Sequence, residues 1–394
     1  MGTGAISLLF QGFPYAAGSR TLKIFTLIFF FLNLILFIVF TIITVARYIL
    51  FPNIWSLMIR HPVQGLYVGC FPMAVTTLIN VSVRTIYQDY GFGGKRFLYA
   101  IWWIWWVDIV ISCLCVWGMV QIMITRQRHS LEMMLPVWLL PVVTFVVASS
   151  SGGILAAPLQ EFSSSHALIT VVFSIFMVTI GLSLSLIILT IYYLRLMVYG
   201  LPEGATILSS FLPLGPIGQA GFSILLVGKN VKSLLPLTYG DSEILRASTT
   251  GDTINVICLC ISIVLWSFAT MWVIFALLGI QEVARESRFP FKLPFWGLVF
   301  PNGVYANLTV ELYTTLDSSF FRVYGALYSV VTFFLWIAVA TRTMMLVRNQ
   351  RIFEAPCLED MDSLMYEYKR KRSTATHSES EGSKSRSRGT EAEV

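Results

Sequence analysis

The sequence predicts an all-α polytopic membrane protein. We expect ten transmembrane helices, arranged as five helical hairpins, with an inner ring of broken helices around a central pore. Two observations support this prediction. Of the 394 residues, 56% are hydrophobic and only 12% are charged, whereas an average globular protein carries about 25% charged residues. In addition, helix-breaking residues recur at a steady interval along the apolar segments.

Nine segments are long and apolar enough to cross a bilayer, which takes about 20 mostly apolar residues. They are residues 21–46, 65–83, 97–124, 136–157, 167–194, 206–228, 253–279, 294–311 and 320–346. The first 15 residues are apolar but too short to span a membrane alone. We interpret them as the second half of a tenth helix, the first in the chain, which is truncated here.

The ten predicted helices alternate between two kinds. Even-numbered helices are continuous and bulky, as in residues 24–45, and suit contact with lipid. Odd-numbered helices are rich in small residues and are interrupted by proline or glycine. The interruptions lie 70, 69, 75 and 85 residues apart, at Gly2, Pro72, Pro141, Pro216 and Pro301. A period of that size, covering one broken and one continuous helix, indicates five repeats of a helical hairpin.

The broken helices are predicted to line one pore together. Irregular backbone at membrane depth is tolerated only where it is buried in protein or faces water, because each unpaired backbone group costs several kcal/mol in hydrocarbon. No Asp, Glu, Lys, Arg or His occurs in the broken segments 1–9, 68–80, 139–153, 212–226 and 299–308. Cation paths and proton relays use such side chains.

We therefore predict a charge-free pore for a small monovalent anion. Hydroxyls, amides and backbone N–H groups would hold the anion weakly, so that it can leave again. The candidate pore-lining and anion-binding residues are Thr3, Thr76, Asn80, Ser149, Ser150, Gln219 and Asn302. Thr77, Ser151 and Asn307 offer the same kinds of group.

Two phenylalanines are candidate gate residues. Phe71 and Phe300 each stand directly before a breaking proline. If both face inward, their rings would form a hydrophobic constriction, which can gate by dewetting or by rotamer change. The alternative is that either ring only fills the core of the bundle.

Asp108 is the one acid well inside a continuous span. An intramembrane carboxylate is a functional candidate by default, and we consider a role in proton coupling. The alternative is a structural role, with a loop arginine or a helix end as its partner.

We predict no enzyme activity, no cofactor and no metal site. The four histidines lie too far apart in the sequence for a metal site, at His61, His129, His166 and His377. The chain has no nucleophile elbow, P-loop or dinucleotide-binding fingerprint. Its net charge of +6 comes from helix ends and the C-terminal tail, without a basic surface interleaved with aromatics, so we expect no nucleic-acid partner.

The sequence divides into a transmembrane transporter domain, residues 1–347, and a tail, residues 348–394. The tail is polar and is predicted to be disordered. Its basic residues, together with Arg342, favour a cytoplasmic C-terminus by the positive-inside rule. An even number of helices then puts the N-terminus on the same side.

Six motifs, in order, resemble the fungal sulfite efflux pump family. They read MGTGAIS, RHPVQGLYVGCFPM, WWIWWVD, WLLPVVTFVVASSSGG, LGPIGQAGFSILL and FWGLVFPNGVYANLTVELY. This family belongs to the tellurite-resistance/dicarboxylate transporter superfamily, which also contains plant slow-type anion channels. The resemblance runs from residue 1 to about residue 346.

The resemblance implies the same ten-helix architecture, with a pore gated by phenylalanine. Phe300 in VFPNG matches the gate position on the ninth helix, and Phe71 in CFPM matches a phenylalanine on the third. It implies export of sulfite or bisulfite across the plasma membrane by a lipid-embedded homotrimer. Family members also carry a further stretch before MGTG, which would complete the first helix.

Two alternative functions remain at this stage. Malate transporters of the same superfamily share the MGTG and HP motifs, so a malate or dicarboxylate transporter is the first alternative. A dicarboxylate would favour a basic side chain near the midplane, and the broken segments contain none. A membrane receptor or structural protein without transport is the second alternative, which the five-fold repeat opposes.

Overall fold

The computed structural model describes residues 1–202, 204–237, 240–286 and 291–350, and these ranges are helical with short connections. Residues Met1–Arg348 form one compact unit. The predicted tail, apart from its first three residues, lies outside the described residues. Eight helices in the described ranges are long and apolar enough to cross a membrane, so the all-α membrane fold is confirmed.

The chain forms five successive hairpins, each with an odd-numbered and an even-numbered helix. The odd-numbered helices are α1 Gly2–Gln11, α3 Gln64–Asp89, α5 Pro136–Gln160, α7 Thr206–Leu234, and α9, which consists of Leu293–Leu298 and Val299–Leu316. The even-numbered helices are α2 Arg20–Leu50, α4 Gly94–Thr125, α6 Ser164–Tyr199, α8 Ser248–Glu286 and α10 Ser319–Arg348. The eight membrane-capable helices do not include α1 and α9, so a transmembrane count of ten stays a prediction.

The odd-numbered helices form a closed inner ring. Helix α1 packs against α3, α3 against α5, α5 against α7, and α7 against α9, which returns to α1. Helices α2, α6, α8 and α10 pack mainly against the inner helix of their own hairpin, whereas α4 packs against both α3 and α5.

Burial separates the inner and outer helices as the sequence predicts. The most apolar 18-residue stretch is 100% buried in α5 and 89% buried in α7, but only 17% in α2 and 28% in α10. Small residues let the inner helices approach one another closely. Large apolar side chains of the outer helices are left exposed, as contact with lipid requires.

The breaks are changes of helix type that precede the prolines. In α3, α5, α7 and α9 a 3₁₀ segment leads into a regular α-helix, which begins at Cys70, Leu140, Leu214 and Val299. Each proline follows within two residues, in the first turn, where the helix does not need its N–H. The prolines therefore start α-helices inside the protein and do not interrupt them.

Helix α9 illustrates this correction to the sequence interpretation. Its α-helical part runs from Val299 to Leu316 without a break at Pro301. Gly303 has a packing role instead, because a Cβ atom there would lie 2.8 Å from the Cβ of Ala5 in α1. This glycine lets the first and last inner helices close the ring.

Hydroxyl contacts on the outer face of α9 set its rotation. The hydroxyl of Tyr305 lies 2.7 Å from the hydroxyl of Thr270 in α8, and Trp266 of α8 donates a 2.9 Å hydrogen bond to Thr309. Since these contacts turn one face of α9 outward, the opposite face, with Phe300 and Asn307, is directed into the ring.

Candidate functional site

A cavity of about 20 Å³ lies inside the inner ring, which is room for one or two water molecules at about 10–15 Å³ each. All five inner helices contribute to its wall. The lining residues are Ala5, Leu8, Thr77, Asn80, Arg84, Val147, Ile154, Gln219, Phe222, Phe300, Val304 and Asn307. The prediction that the five broken helices face a common space is confirmed.

The lining residues follow helical spacing. In α9 the wall consists of Phe300, Val304 and Asn307, and in α3 it contains Asn80 and Arg84. Residues three, four or seven positions apart share one face of a helix. One face of each inner helix therefore forms the wall, and polar residues on the other faces make different contacts.

Three of the predicted site residues line the cavity, namely Asn80, Gln219 and Phe300. Gln219 is held in place from behind, because its side-chain amide donates to the hydroxyl of Ser150. Ser150 in turn donates a 2.8 Å hydrogen bond to the carbonyl of Val147. Ser150 thus positions a wall residue and is not itself part of the wall.

Two predicted threonines, Thr3 and Thr76, do not belong to the cavity wall. The hydroxyl of Thr3 accepts a 3.2 Å hydrogen bond from the indole of Trp336 in α10. The hydroxyl of Thr76 bonds to the carbonyl of Met73 in its own helix, at 2.8 Å. The neighbouring Thr77 lines the cavity instead.

Ser149 and Asn302 hold helices together. The hydroxyl of Ser149 donates to the carbonyl of Ser174 in α6 and lies 2.6 Å from the hydroxyl of Ser223 in α7. The side-chain oxygen of Asn302 accepts a hydrogen bond from Tyr328 of α10. In α9, Asn307 is the amide that reaches the cavity.

The two candidate gate residues differ in their surroundings. Phe300 is 8% exposed and lines the cavity, whereas Phe71 is 40% exposed. The ring of Phe71 lies 5.4 Å from the ring of Phe37 in α2 and does not belong to the cavity wall. This placement does not fit a gate at Phe71 in this cavity, and Phe300 is left as the candidate.

The cavity wall also contains a positive charge. Arg84 lies four residues after Asn80, just beyond the broken segment that we found free of charge. Its guanidinium is centred 5.4 Å from the ring of Phe222, another wall residue. The expectation of a charge-free pore holds for the five segments, but it is wrong for the cavity as a whole.

Arg84 belongs to a group of three charged side chains from three inner helices. Its Nη2 atom lies 3.6 Å from Oε2 of Glu311 in α9. The Nζ atom of Lys229 in α7 lies 2.6 Å from Oε1 of the same carboxylate. We call Arg84, Lys229 and Glu311 the charged triad. With two cations and one anion, it carries a net positive charge.

Comparison with known proteins places the chain in a family. The model of the voltage-dependent anion channel family matches residues 1–344. This chain belongs to that family. The resemblance to fungal sulfite efflux pumps is likewise confirmed, and the chain is a multi-pass membrane transporter and not an enzyme.

Several curated relatives of this anion channel family member match most of its length. The sulfite efflux pump SSU1 of Arthroderma benhamiae is 34% identical, over 87% of this chain and 88% of the relative. The sulfite efflux pump SSU1 of Trichophyton rubrum is 33% identical over the same shares. The malic acid transport protein of Schizosaccharomyces pombe is 20% identical, over 86% of this chain and 74% of the relative.

Asp108 lies outside the cavity wall of this family member. It is 1% exposed in α4, and both of its carboxylate oxygens lack a hydrogen-bond partner within the described part of the chain. Ser112, one turn further along α4, is also buried without a partner there. Neither a loop arginine nor a helix end partners the carboxylate within that part of the chain.

Proposed function

We propose that this chain exports small anions, foremost sulfite or bisulfite, through the cavity of its inner ring. One observation carries the proposal: all five inner helices contribute to a single cavity, whose wall combines neutral amides with one basic side chain. Neutral donors hold an anion weakly, which permits release. The similarity to sulfite efflux pumps over most of the chain supports sulfite as the substrate.

Phe300 is the proposed gate. Its ring forms part of the wall of a cavity of about 20 Å³, which is too small for free passage of a hydrated anion. A change of rotamer at Phe300 would widen the route without any movement of the backbone. Passage would therefore alternate between a closed state, with the ring in the cavity, and an open state.

The membrane potential is the proposed driving force. An anion that leaves a negative interior gains about 2.3 kcal/mol per charge for each 100 mV. Asp108 is the proposed coupling residue for protons, and the support is its buried carboxyl without a partner among the residues described. Voltage-driven export does not require that coupling.

We further propose a homotrimer in the plasma membrane, surrounded by lipid, with the C-terminus in the cytoplasm. The exposed apolar side chains of the outer helices support contact with lipid or with neighbouring subunits. The mass of the purified complex tests the trimer, and a mass of one or two copies would contradict it. Protease access to a C-terminal tag in intact cells tests the orientation.

Export of malate or another dicarboxylate is the alternative function. Arg84 is the observation that favours it, because a dicarboxylate calls for a basic side chain along its route and Arg84 supplies one. The small cavity volume and the lower identity to the malic acid transport protein favour sulfite.

Flux measurements in proteoliposomes test the proposal. Purified protein is reconstituted, a membrane potential is imposed, and the fluxes of sulfite and of radiolabelled malate are compared with those of protein-free vesicles. We expect potential-dependent sulfite flux that exceeds malate flux. Equal sulfite flux with and without protein would overturn the proposal, and malate flux above sulfite flux would establish the alternative. Expression in a sulfite-sensitive fungal cell should also confer sulfite tolerance.

A further inference from the structure

We propose that Arg84 and Asn80 form a binding site for a singly charged oxyanion that carries a proton, and that hydrogensulfite is the anion bound. The inference rests on the proposed function, because it takes the cavity as the route of the anion. It names the side chains that recognise the substrate and the form of the substrate that they accept.

Arg84 has hydrogen-bond donors to spare. A guanidinium carries five N–H donors in a planar fork. Its ion pair with Glu311, at 3.6 Å, is longer than a direct hydrogen bond. No other hydrogen bond from Arg84 to the described residues is present. Arg84 lines the cavity. In the proposed open state, in which the Phe300 ring has left the cavity and made room for an anion, the fork can donate to two oxygens of one anion, a geometry that suits oxyanions.

Lys229 keeps Arg84 available. It contacts the Glu311 carboxylate at 2.6 Å, a full ångström closer than Arg84 does. Lys229 and Arg84 thus share the single carboxylate of Glu311, and one positive charge of the triad is left uncompensated beside the cavity. We assign Lys229 and Glu311 as positioning residues, which orient Arg84 without binding the anion.

Asn80 supplies an acceptor that distinguishes one anion from another. Its Oδ1 atom is buried and has no hydrogen-bond partner in the part of the chain that the structure describes. Leaving a buried acceptor unsatisfied costs about 1–3 kcal/mol. Asn80, near the end of the α-helical part of α3, and Arg84, in the π-helical segment that follows it, both line the cavity. An anion bound to Arg84 is therefore close to this acceptor.

The pair of groups selects for a protonated anion. Arg84 donates to the oxygens of an anion, and Asn80 accepts from a hydrogen on it. Hydrogensulfite can satisfy both groups at once. Chloride and nitrate can satisfy only Arg84, because neither carries a proton, and they leave Oδ1 of Asn80 unpaired. Fully deprotonated sulfite has no hydrogen to donate, so it too leaves Oδ1 of Asn80 without a hydrogen bond.

The test compares two variants with two anions in the reconstituted full-length protein. For Arg84→Gln, we expect the half-saturating concentration to rise at least tenfold for both sulfite and nitrate. For Asn80→Leu, we expect a rise for sulfite but little change for nitrate. Arg96→Gln is the matched control, since Arg96 is an exposed basic residue at the start of α4, outside the cavity wall, and should change neither value.

A second readout does not depend on transport. Added sulfite should raise the unfolding temperature of the purified protein in detergent, because a ligand that binds only the folded state stabilises it. This shift should be smaller in both variants than in the Arg96→Gln control. Conservative Arg84→Lys should restore part of the affinity but not the full value, since lysine lacks the planar fork.

The outcomes separate this inference from the proposed function. Sulfite flux with an unchanged half-saturating concentration in Arg84→Gln would overturn the site while the export function stands. Equal losses for sulfite and nitrate in Asn80→Leu would overturn the selection for a protonated anion. Absence of both flux and sulfite-dependent stabilisation in the unmodified protein would overturn the proposed function itself.

Discussion

Replacing Phe300 by alanine tests the proposed gate most sharply, because the chain provides its own control. Phe300 precedes Pro301 in α9, as Phe71 precedes Pro72 in α3. Phe300 lines the cavity and is 8% exposed, whereas Phe71 is 40% exposed and packs on α2. The same substitution at equivalent positions of the repeat therefore removes two differently placed phenyl groups. The phenyl group of Phe300 faces the cavity, and that of Phe71 packs against α2 outside it.

The structure sets the expected magnitude. The cavity of about 20 Å³ holds no more than one or two water molecules, at about 10–15 Å³ each. Removing the Phe300 ring opens it further, and the amides of Asn80 and Gln219 allow water to fill the new space. Buried Phe→Ala changes usually cost about 3–5 kcal/mol. We expect the loss at Phe300 to fall at or below the lower end, because water replaces part of the lost contact.

The flux should rise as the stability falls. If the ring contributes only about 1.4 kcal/mol to the barrier for passage, its removal accelerates anion flux tenfold. We therefore expect at least a tenfold increase in sulfite flux or anion current for Phe300→Ala in proteoliposomes, and a decrease for the larger Phe300→Trp. Phe71→Ala should leave flux within about twofold of the unmodified protein.

Two results would refute this reasoning. Unchanged flux in Phe300→Ala, with the protein still folded, would mean that Phe300 only fills the core. A large increase in Phe71→Ala would mean that the route lies on the outer side of α3. In either case the cavity described above would not be the path of the anion.

Two further predictions concern the ring and its surroundings. Gly69→Ala should lower the free energy of unfolding in detergent by about 1–3 kcal/mol, since the new Cβ would lie 2.5 Å from the carbonyl oxygen of Leu140. The matched control is Gly215→Ala, where no atom lies within 4 Å of the new Cβ. It should leave the free energy of unfolding unchanged or raise it by up to about 1 kcal/mol. Equal effects of the two would contradict the close packing of α3 on α5. Asp108→Asn should abolish any dependence of sulfite flux on an imposed proton gradient and keep the voltage-driven flux, and a gradient dependence that survives would exclude coupling through Asp108.

The sequence predicts the ring itself well. Composition distinguishes the bulky outer helix α2 from the small-residue helix α5, and their burial differs accordingly. The spacing of the breaks predicts the five hairpins because each break starts an α-helix at a similar place in its repeat. Both features depend on residues that are close together in the chain, so a single sequence is enough to reveal them.

Helix rotation is the part that the sequence does not reveal. Phe71 and Phe300 share a local motif but point in different directions. The rotation of α9 depends on contacts of Tyr305 with Thr270 of α8, and Phe71 in α3 meets Phe37 of α2. Such contacts join residues that are far apart in the chain, so the motif alone cannot predict which ring faces inward.

The sequence predicts some of the residues in the cavity wall, but not all of them. Asn80 and Arg84 are one turn apart, as are Val304 and Asn307, and helical spacing from Phe300 would have favoured Asn307 over Asn302. Arg84 falls outside the sequence prediction because the apolar, small-residue pattern of the third helix ends at Asn80. The segment Ser82–Asp89 is also a π-helix, which alters the direction of its side chains and leaves no clear trace in the sequence.

The central claim is that the five inner helices share one aqueous route for anions. Cysteine accessibility tests it most directly, in a variant whose six native cysteines are replaced. Single cysteines are introduced at one wall position of each inner helix, Leu8, Thr77, Ile154, Phe222 and Asn307, with Phe71 as the outer control. We predict that a negatively charged, membrane-impermeant thiol reagent blocks sulfite flux at all five wall positions and not at Phe71. Block at only one or two helices, or equal block at Phe71, would contradict a shared route.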